Sequence, residues 1–167
     1  MVLNEKPDAI LILAPRHPER IDKIAEMCKN YNFEYVKRSE HNTFIDKHSI
    51  YLVDTLGELQ LHYAAAQVAF VGGSLVNTGG QNMMEPASLG LPIICGPYTY
   101  NFMEITELLS EKKAIKVVVN DQDLSSQVCA FFIDANARHL FGEKAREVVN
   151  DNKGNLNKIT ELIGSYL

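Results

Sequence analysis

Six short runs rich in apolar residues, at 10–14, 33–37, 50–53, 68–71, 92–95 and 115–119, alternate along the chain with segments whose apolar positions recur at helical spacing. Short buried runs predict strands, and their alternation with helices predicts a parallel sheet covered on both faces. The first helical segment carries Ile21, Ile24, Ala25 and Cys28 at i, i+3, i+4 and i+7, one apolar stripe. Thr55 and Glu58 have capping-box spacing ahead of a helix through Ala66. Asn101 and Glu104 have a related spacing before Ile105, Leu108 and Leu109, and Asp121 stands where it would cap the helix after the last strand. Two more helical stretches follow at 137–150 and 156–166, and the polar residues 38–49 read as one long loop. The pattern predicts an α/β chain: a Rossmann-like doubly wound parallel sheet of about six strands, in one domain spanning residues 1–167.

Ligands of such sheets gather outside the carboxyl ends of the strands, where Arg16, Asp54, Gly72 and Gly96 fall. Residues 71–97, VGGSLVNTGGQNMMEPASLGLPIICGP, hold the densest chemistry: a strand feeds a loop flanked by two double glycines, then a helix start with one carboxylate, then another strand. Gly72-Gly73 and Gly79-Gly80 permit positive φ and close backbone approach, which lets amides turn towards an anion. Asn82 is read as opening a helix whose N-terminal dipole favours negative charge. No Lys or Arg occurs from Ser49 through Glu111, so a phosphate here relies on backbone amides and a cation from elsewhere, for which Arg16 in PRHPER is the candidate. Arg16 has a plainer role too, as a surface partner of Glu19 or a helix cap.

Glu85 also admits two roles. Asn82 and Glu85 have N-cap and N3 spacing, which explains a carboxylate as a cap but leaves Pro86 unexplained; vicinal sugar hydroxyls would instead make Glu85 a ribose clamp. The double glycines have turns as their plainer reading, and Asp54 and Glu58 a strand end and a cap. The loop after Val71 reads GGSLVN and lacks the third glycine of a dinucleotide fingerprint, which argues against an oxidoreductase.

Composition narrows the classes. With 46% hydrophobic residues in 167, the chain can bury a substantial core without disulfides. Cys28, Cys95 and Cys129 are odd in number and far apart, so they read as buried apolar residues rather than a bridge framework or zinc site. His41, His48, His62 and His139 show no metal spacing. A net charge of −5 without a basic run argues against a nucleic-acid partner. No apolar run reaches the roughly 18–20 residues of a membrane span, and MVLNEKPD lacks signal-peptide character, so a soluble intracellular domain is expected. Beginning almost directly on a strand, it reads as half of a larger protein.

PRHPER at 15–20, DTLGEL at 54–59, YAAAQVAFVGGSL at 63–75, GGQNMMEPASLGLPIICGP at 79–97 and NFMEI at 101–105 together resemble the C-terminal half of 3-deoxy-D-manno-octulosonic acid (Kdo) transferases, two-domain GT-B glycosyltransferases. The resemblance is dense from about residue 9 to 110. It implies a domain that binds the donor CMP-Kdo, in an enzyme that transfers Kdo with inversion to a lipid A precursor at the cytoplasmic side of the bacterial inner membrane, in lipopolysaccharide synthesis, with no cofactor or metal. Carried onto matching positions, Pro15 and Arg16 meet the nucleotide, Leu56, Gly57 and Glu58 line it, Gly73 and Ser74 belong to the glycine loop, and Asn82, Met83, Met84 and Glu85 hold phosphate and ribose. The catalytic base and acceptor surface belong to the family's N-terminal domain, outside this chain, so the fragment alone is expected to be inactive. Family members often carry a basic residue and a His after GGSL, where this chain has Asn77-Thr78 and Gln81. The alternatives are the donor domain of another GT-B sugar-nucleotide enzyme, or a non-catalytic Rossmann-like binding module.

Overall fold

The computed structural model describes residues 1–40 and 49–164, with side chains through 152. His41 and His48, most of the expected 38–49 loop, and residues 165 and 166 of the last expected helix lie outside the described residues. The chain forms two compact units, Met1–His62 and Tyr63–Leu167.

All six expected strands form, each trimmed to three residues: β1 Leu11–Leu13, β2 Tyr35–Lys37, β3 Ile50–Leu52, β4 Ala69–Val71, β5 Ile93–Cys95 and β6 Ile115–Val117. Every pairing is parallel. The strands bond as two sheets of three, ordered β1-β3-β2 and β4-β5-β6, rather than as one sheet of about six. Local apolar runs report that a strand exists; which strands share hydrogen bonds is decided between distant segments, and periodicity does not carry that information.

In the first unit a short helix α1 (Val2–Glu5) precedes β1, and α2 (Ile21–Asn30) follows it. Ile21, Ala25 and Cys28 of α2 are buried, as the stripe predicts, and Ala25 and Cys28 cluster with Ile50 and Leu52 of β3. The helix ends in a Schellman arrangement: Phe33 N–H donates to Cys28 O at 2.9 Å and Asn32 N–H to Lys29 O at 3.0 Å. That ending requires a left-handed residue, and Asn32, at φ 58°, is among the few non-glycines that tolerate it.

In the second unit β5 is central, with all three residues buried. Alternation sends Ile93 and Cys95 to one face, packed with Met83 and Ala87, with Leu109 of α5 (Met103–Glu111) and with Ala145, Val148 and Val149 of α7 (Ala135–Gly164). Ile94 faces the other way, against Val118 and Phe131, the latter from α6 (Asp121–Ile133). The expected two-sided cover is therefore present on β5. The two expected C-terminal stretches are one continuous helix, α7; Gly154 weakens a helix by about 1 kcal/mol but does not end it. Near its start, Gly142 lies so close to α4 (Met84–Ser88) and its exit that an added Cβ would sit 1.9 Å from Gly90 O. Arg146 donates to Leu89 O at 2.9 Å, satisfying a carbonyl at the end of α4.

Two expected caps differ. Asn120 rather than Asp121 caps α6, its Oδ1 accepting from Asp123 N–H at 2.8 Å, while the Asp123 carboxylate accepts from Val119 N–H. Asn101 does not cap α5; a 3-10 turn, Tyr100–Phe102, intervenes and frees its side chain for the glycine loop. The three cysteines are buried and free, and burial pushes the Cys95 thiol up to about 11. His62 is also buried, its ring 5.8 Å from that of Tyr51.

Candidate functional site

At the carboxyl end of β1, Pro15 and Arg16 lead into a 3-10 turn, Pro18–Arg20, that opens α2. Arg16 is exposed, and Glu19 lies 3.4 Å from His17 Nδ1.

The carboxyl ends of β2 and β3 carry the polar network of this unit. Beyond β2, Arg38 makes a two-pronged contact with Glu58, Nη2 to Oε1 at 2.9 Å and Nε to Oε2 at 3.2 Å. The Thr55 hydroxyl donates to the same carboxylate. Next to Arg38, Ser39 donates its backbone N–H to Asp54 at 2.9 Å and its hydroxyl to the other carboxylate oxygen. The capping box expected from Thr55 and Glu58 is thus replaced: α3 (Leu59–Ala65) begins after Glu58, whose carboxylate is drawn to a cation and a hydroxyl rather than to backbone amides. Thr55 first and Arg38 next hold the Glu58 carboxyl below the usual range, and the ion pair raises Arg38 in turn. Burial pushes Asp54 upward, but the bonds from Ser39 outweigh it and the net shift is downward. Between these anchors Leu56 is 80% exposed, and Gly57, at φ +82°, has open space where a Cβ would stand.

In the second unit the loop from Gly72 to Met83 joins β4 to α4. Gly73, Gly79 and Gly80 take positive φ, of +71°, +86° and +75°. The loop closes on itself, with Gly80 N–H and the Thr78 hydroxyl both donating to Gly73 O. Its close approach is to the chain's own residues: a Cβ on Gly79 would meet Asn101 at 2.3 Å. Asn101 holds the loop with its side chain on Thr78 O at 3.2 Å and its backbone N–H on Gly79 O at 3.1 Å. Ser74 is fully buried; its hydroxyl donates to Val71 O at 2.5 Å and accepts from Gly96 N–H at 2.8 Å, tying the ends of β4 and β5 together. Its side chain serves the scaffold, as does that of Met83, 0% exposed in the core.

The helix read at Asn82 begins two residues later, at Met84, and runs five residues. Asn82 still satisfies its first turn, Oδ1 accepting from Met84 N–H at 2.9 Å. Glu85 occupies the second helical position, in the first turn where a carboxylate favours the dipole, and Pro86 follows where a missing amide costs no intrahelical bond. Glu85 is half-buried; burial chiefly, and the Glu85 charge with it, raise the Tyr63 hydroxyl. An open groove of about 500 Å³, with Met84, Tyr100, Phe102 and Met103 in its walls, lies beside this turn. Among the described residues no group of three or more His, Cys, Asp or Glu is placed to hold a metal ion, and no helix is long and apolar enough to cross a membrane.

Sequence reasoning found the loops but missed what holds them. Arg38 and Ser39 fall in the expected polar loop, and Tyr63 in the expected helix. The signal available for Arg38 was its position directly after a strand, with two carboxylates and a threonine after the neighbouring strand.

The chain is similar to a solved structure described as the C-terminal CMP-Kdo binding domain of WaaA from Acinetobacter baumannii, at 34% identity and TM-score 0.84, covering 88% of this chain and 77% of that one. A 3-deoxy-D-manno-octulosonic acid transferase from Haemophilus influenzae is 36% identical over 167 residues, 99% of this chain and 39% of the relative. A bifunctional glycosyltransferase/methyltransferase from Fusobacterium nucleatum is 38% identical over 146 residues, 78% of this chain and 23% of the relative. The chain spans about two-fifths of the Haemophilus protein or less of these longer relatives. No protein-family model matches it. The fold is that of one half of a GT-B glycosyltransferase: parallel strands, covering helices, and loops at the strand ends. The chain belongs to the Kdo transferase family, in which it corresponds to the C-terminal domain.

Proposed function

We propose that this chain is the donor-binding half of an enzyme that transfers Kdo from CMP-Kdo to a lipid A precursor at the inner membrane, and that the acceptor and catalytic base lie with an N-terminal half. The observation that carries the reading is the likeness, in sequence and in fold, to a structure described as a CMP-Kdo binding domain. In the first unit the nucleotide contacts are Pro15, Arg16 and the loop of Leu56, Gly57 and Glu58. In the second, Gly73 shapes the glycine loop, Asn82 to Met84 supply backbone at the start of α4, and Glu85 accepts from ribose hydroxyls. Ser74 and Met83 act through backbone position, their side chains being buried. Donor binding needs neither a cofactor nor a metal in this reading.

Calorimetric titration of the chain with CMP and with UMP, each in EDTA, tests it. CMP binds more tightly than UMP, and chelation changes neither isotherm. Equal affinity for the two nucleotides, or binding lost on chelation, overturns the proposal.

A further inference from the structure

The 54–58 loop exposes an apolar side chain and bare backbone, Leu56 at 80% and Gly57 with nothing above it, yet both its ends are fastened. Asp54 is held by the amide and hydroxyl of Ser39, and Glu58 by the two-pronged contact of Arg38 together with Thr55. Arg38 and Ser39 are consecutive residues of one turn, so two adjacent positions after β2 fix the whole loop after β3. A partly exposed ion pair contributes little to global stability, so this much polar machinery around five residues is better explained by the geometry it imposes. Fixing peptide groups before a ligand arrives removes an ordering cost from binding.

Charge points the same way. The chain is acidic overall, and a sugar nucleotide is an anion that a bare Glu58 carboxylate would repel. Arg38 neutralises that carboxylate at 2.9 Å while leaving Leu56 and Gly57 uncovered. Of the other groups acting on the pair, His62 favours the ionised Glu58, and Tyr51 and Asp54 favour the charged Arg38.

We propose that Arg38 is a positioning residue for nucleotide binding: by engaging Glu58 it fixes the Leu56-Gly57 backbone as a preformed, uncharged face against the base and sets the preference for one pyrimidine over another. The inference rests on the reading of Leu56, Gly57 and Glu58 as nucleotide-lining. Two measurements on the whole chain test it, with Arg38→Ala, Arg38→Lys, Glu58→Gln and the Arg38→Ala/Glu58→Gln double variant. Backbone NMR order parameters without ligand read the loop directly: Arg38→Ala lowers them at Leu56 and Gly57 and leaves the 72–80 loop unchanged. Titration with CMP and UMP well below the melting temperature reads the consequence. Arg38→Ala weakens CMP about tenfold and narrows the CMP-to-UMP ratio, Arg38→Lys recovers part of both, and the double variant is no weaker than Arg38→Ala, as residues acting through one another require. A pair that only stabilises the fold would move the melting temperature and leave the nucleotide ratio alone, which overturns the proposal. Unchanged order parameters at residues 56 and 57 overturn it whatever the ligand. If the unaltered chain prefers neither nucleotide while the order parameters respond as expected, the donor reading fails, and the specificity claim with it.

Discussion

The two strand-end loops reach fixed geometry by opposite means. The 54–58 loop is held from outside by side chains, two carboxylates against an arginine, a serine and a threonine, with Arg38 and Glu58 each about 30% exposed. The 72–80 loop is held without charge, by a backbone bond between its own glycines, by the Thr78 and Asn101 side chains on backbone carbonyls, and by the buried Ser74 hydroxyl between the ends of β4 and β5. Charged ties in a wet environment answer to pH and salt; uncharged ties to backbone groups do not, and the buried hydroxyl among them answers to the integrity of the core. The 54–58 loop is thus open to adjustment by single charged residues, whereas the 72–80 loop is coupled to the junction of β4 and β5.

The most disruptive test of the contrast is Gly96→Ala. An added Cβ would stand 2.1 Å from Ser74 O, a backbone atom with no room to retreat, since Tyr98 N–H bonds that same oxygen at 3.0 Å. Overpacking of this kind costs about 3 kcal/mol, and the second unit should melt earlier by several degrees in a thermal scan followed by circular dichroism. A melt unchanged within error would mean that the β4–β5 junction is softer than its contacts imply. Ser74→Ala is the subtler test. It leaves Gly96 N–H without its partner in a fully buried place, at a cost of about 1–2 kcal/mol. Exchange at Gly96 and Gly80 should quicken while residues 54–58 stay as they were; loosening of both loops together would erase the distinction between them.

Much of this was legible in the sequence. The six strands come from apolar runs, the stripe on α2 from its period, and the buried cysteines from their isolation, because each is a local statement about which residues leave water. The glycine loop was legible for the same reason, since Gly73, Gly79 and Gly80 do take the positive φ their type allows. Pairings across distance were not. Thr55 and Glu58 have the spacing of a capping box, but spacing cannot reveal that Arg38, twenty residues earlier, competes for the carboxylate and wins. Asn101 has cap spacing as well, and is taken instead by a loop more than twenty residues upstream. Ser74 enters the reading through the family resemblance, as part of the glycine loop, and nothing in its spacing announces the two buried backbone partners of its hydroxyl. Nor does a run of strands state how many sheets it makes, since three-residue strands carry too little pattern to name their neighbours.

The smallest expected effect is the response to acid, and it separates the loops without any substitution. Thr55 and then Arg38 lower Glu58, and on Asp54 the bonds from Ser39 overcome the upward push of burial, so both carboxyls titrate below their unfolded values. Groups depressed in this way contribute stability that is fully present above the unfolded value, about pH 4, and lost as pH falls through the folded value. Between pH 7 and 5 nothing should change. Below about pH 4 the carboxylates take up protons, Arg38 loses its counter-charge, and the 54–58 loop loosens. The 72–80 loop is tied by backbone amides, a serine, a threonine and an asparagine, none of which titrates there. Amide exchange, corrected for the intrinsic effect of pH and followed from pH 6 to 3, should therefore diverge below pH 4, with the Ser39 amide losing its Asp54 partner while the Gly80 amide, bonded to Gly73 O, stays protected. Parallel loss in both would mean that the acid response belongs to the fold as a whole, and that the charged clasp is no more adjustable than the uncharged one.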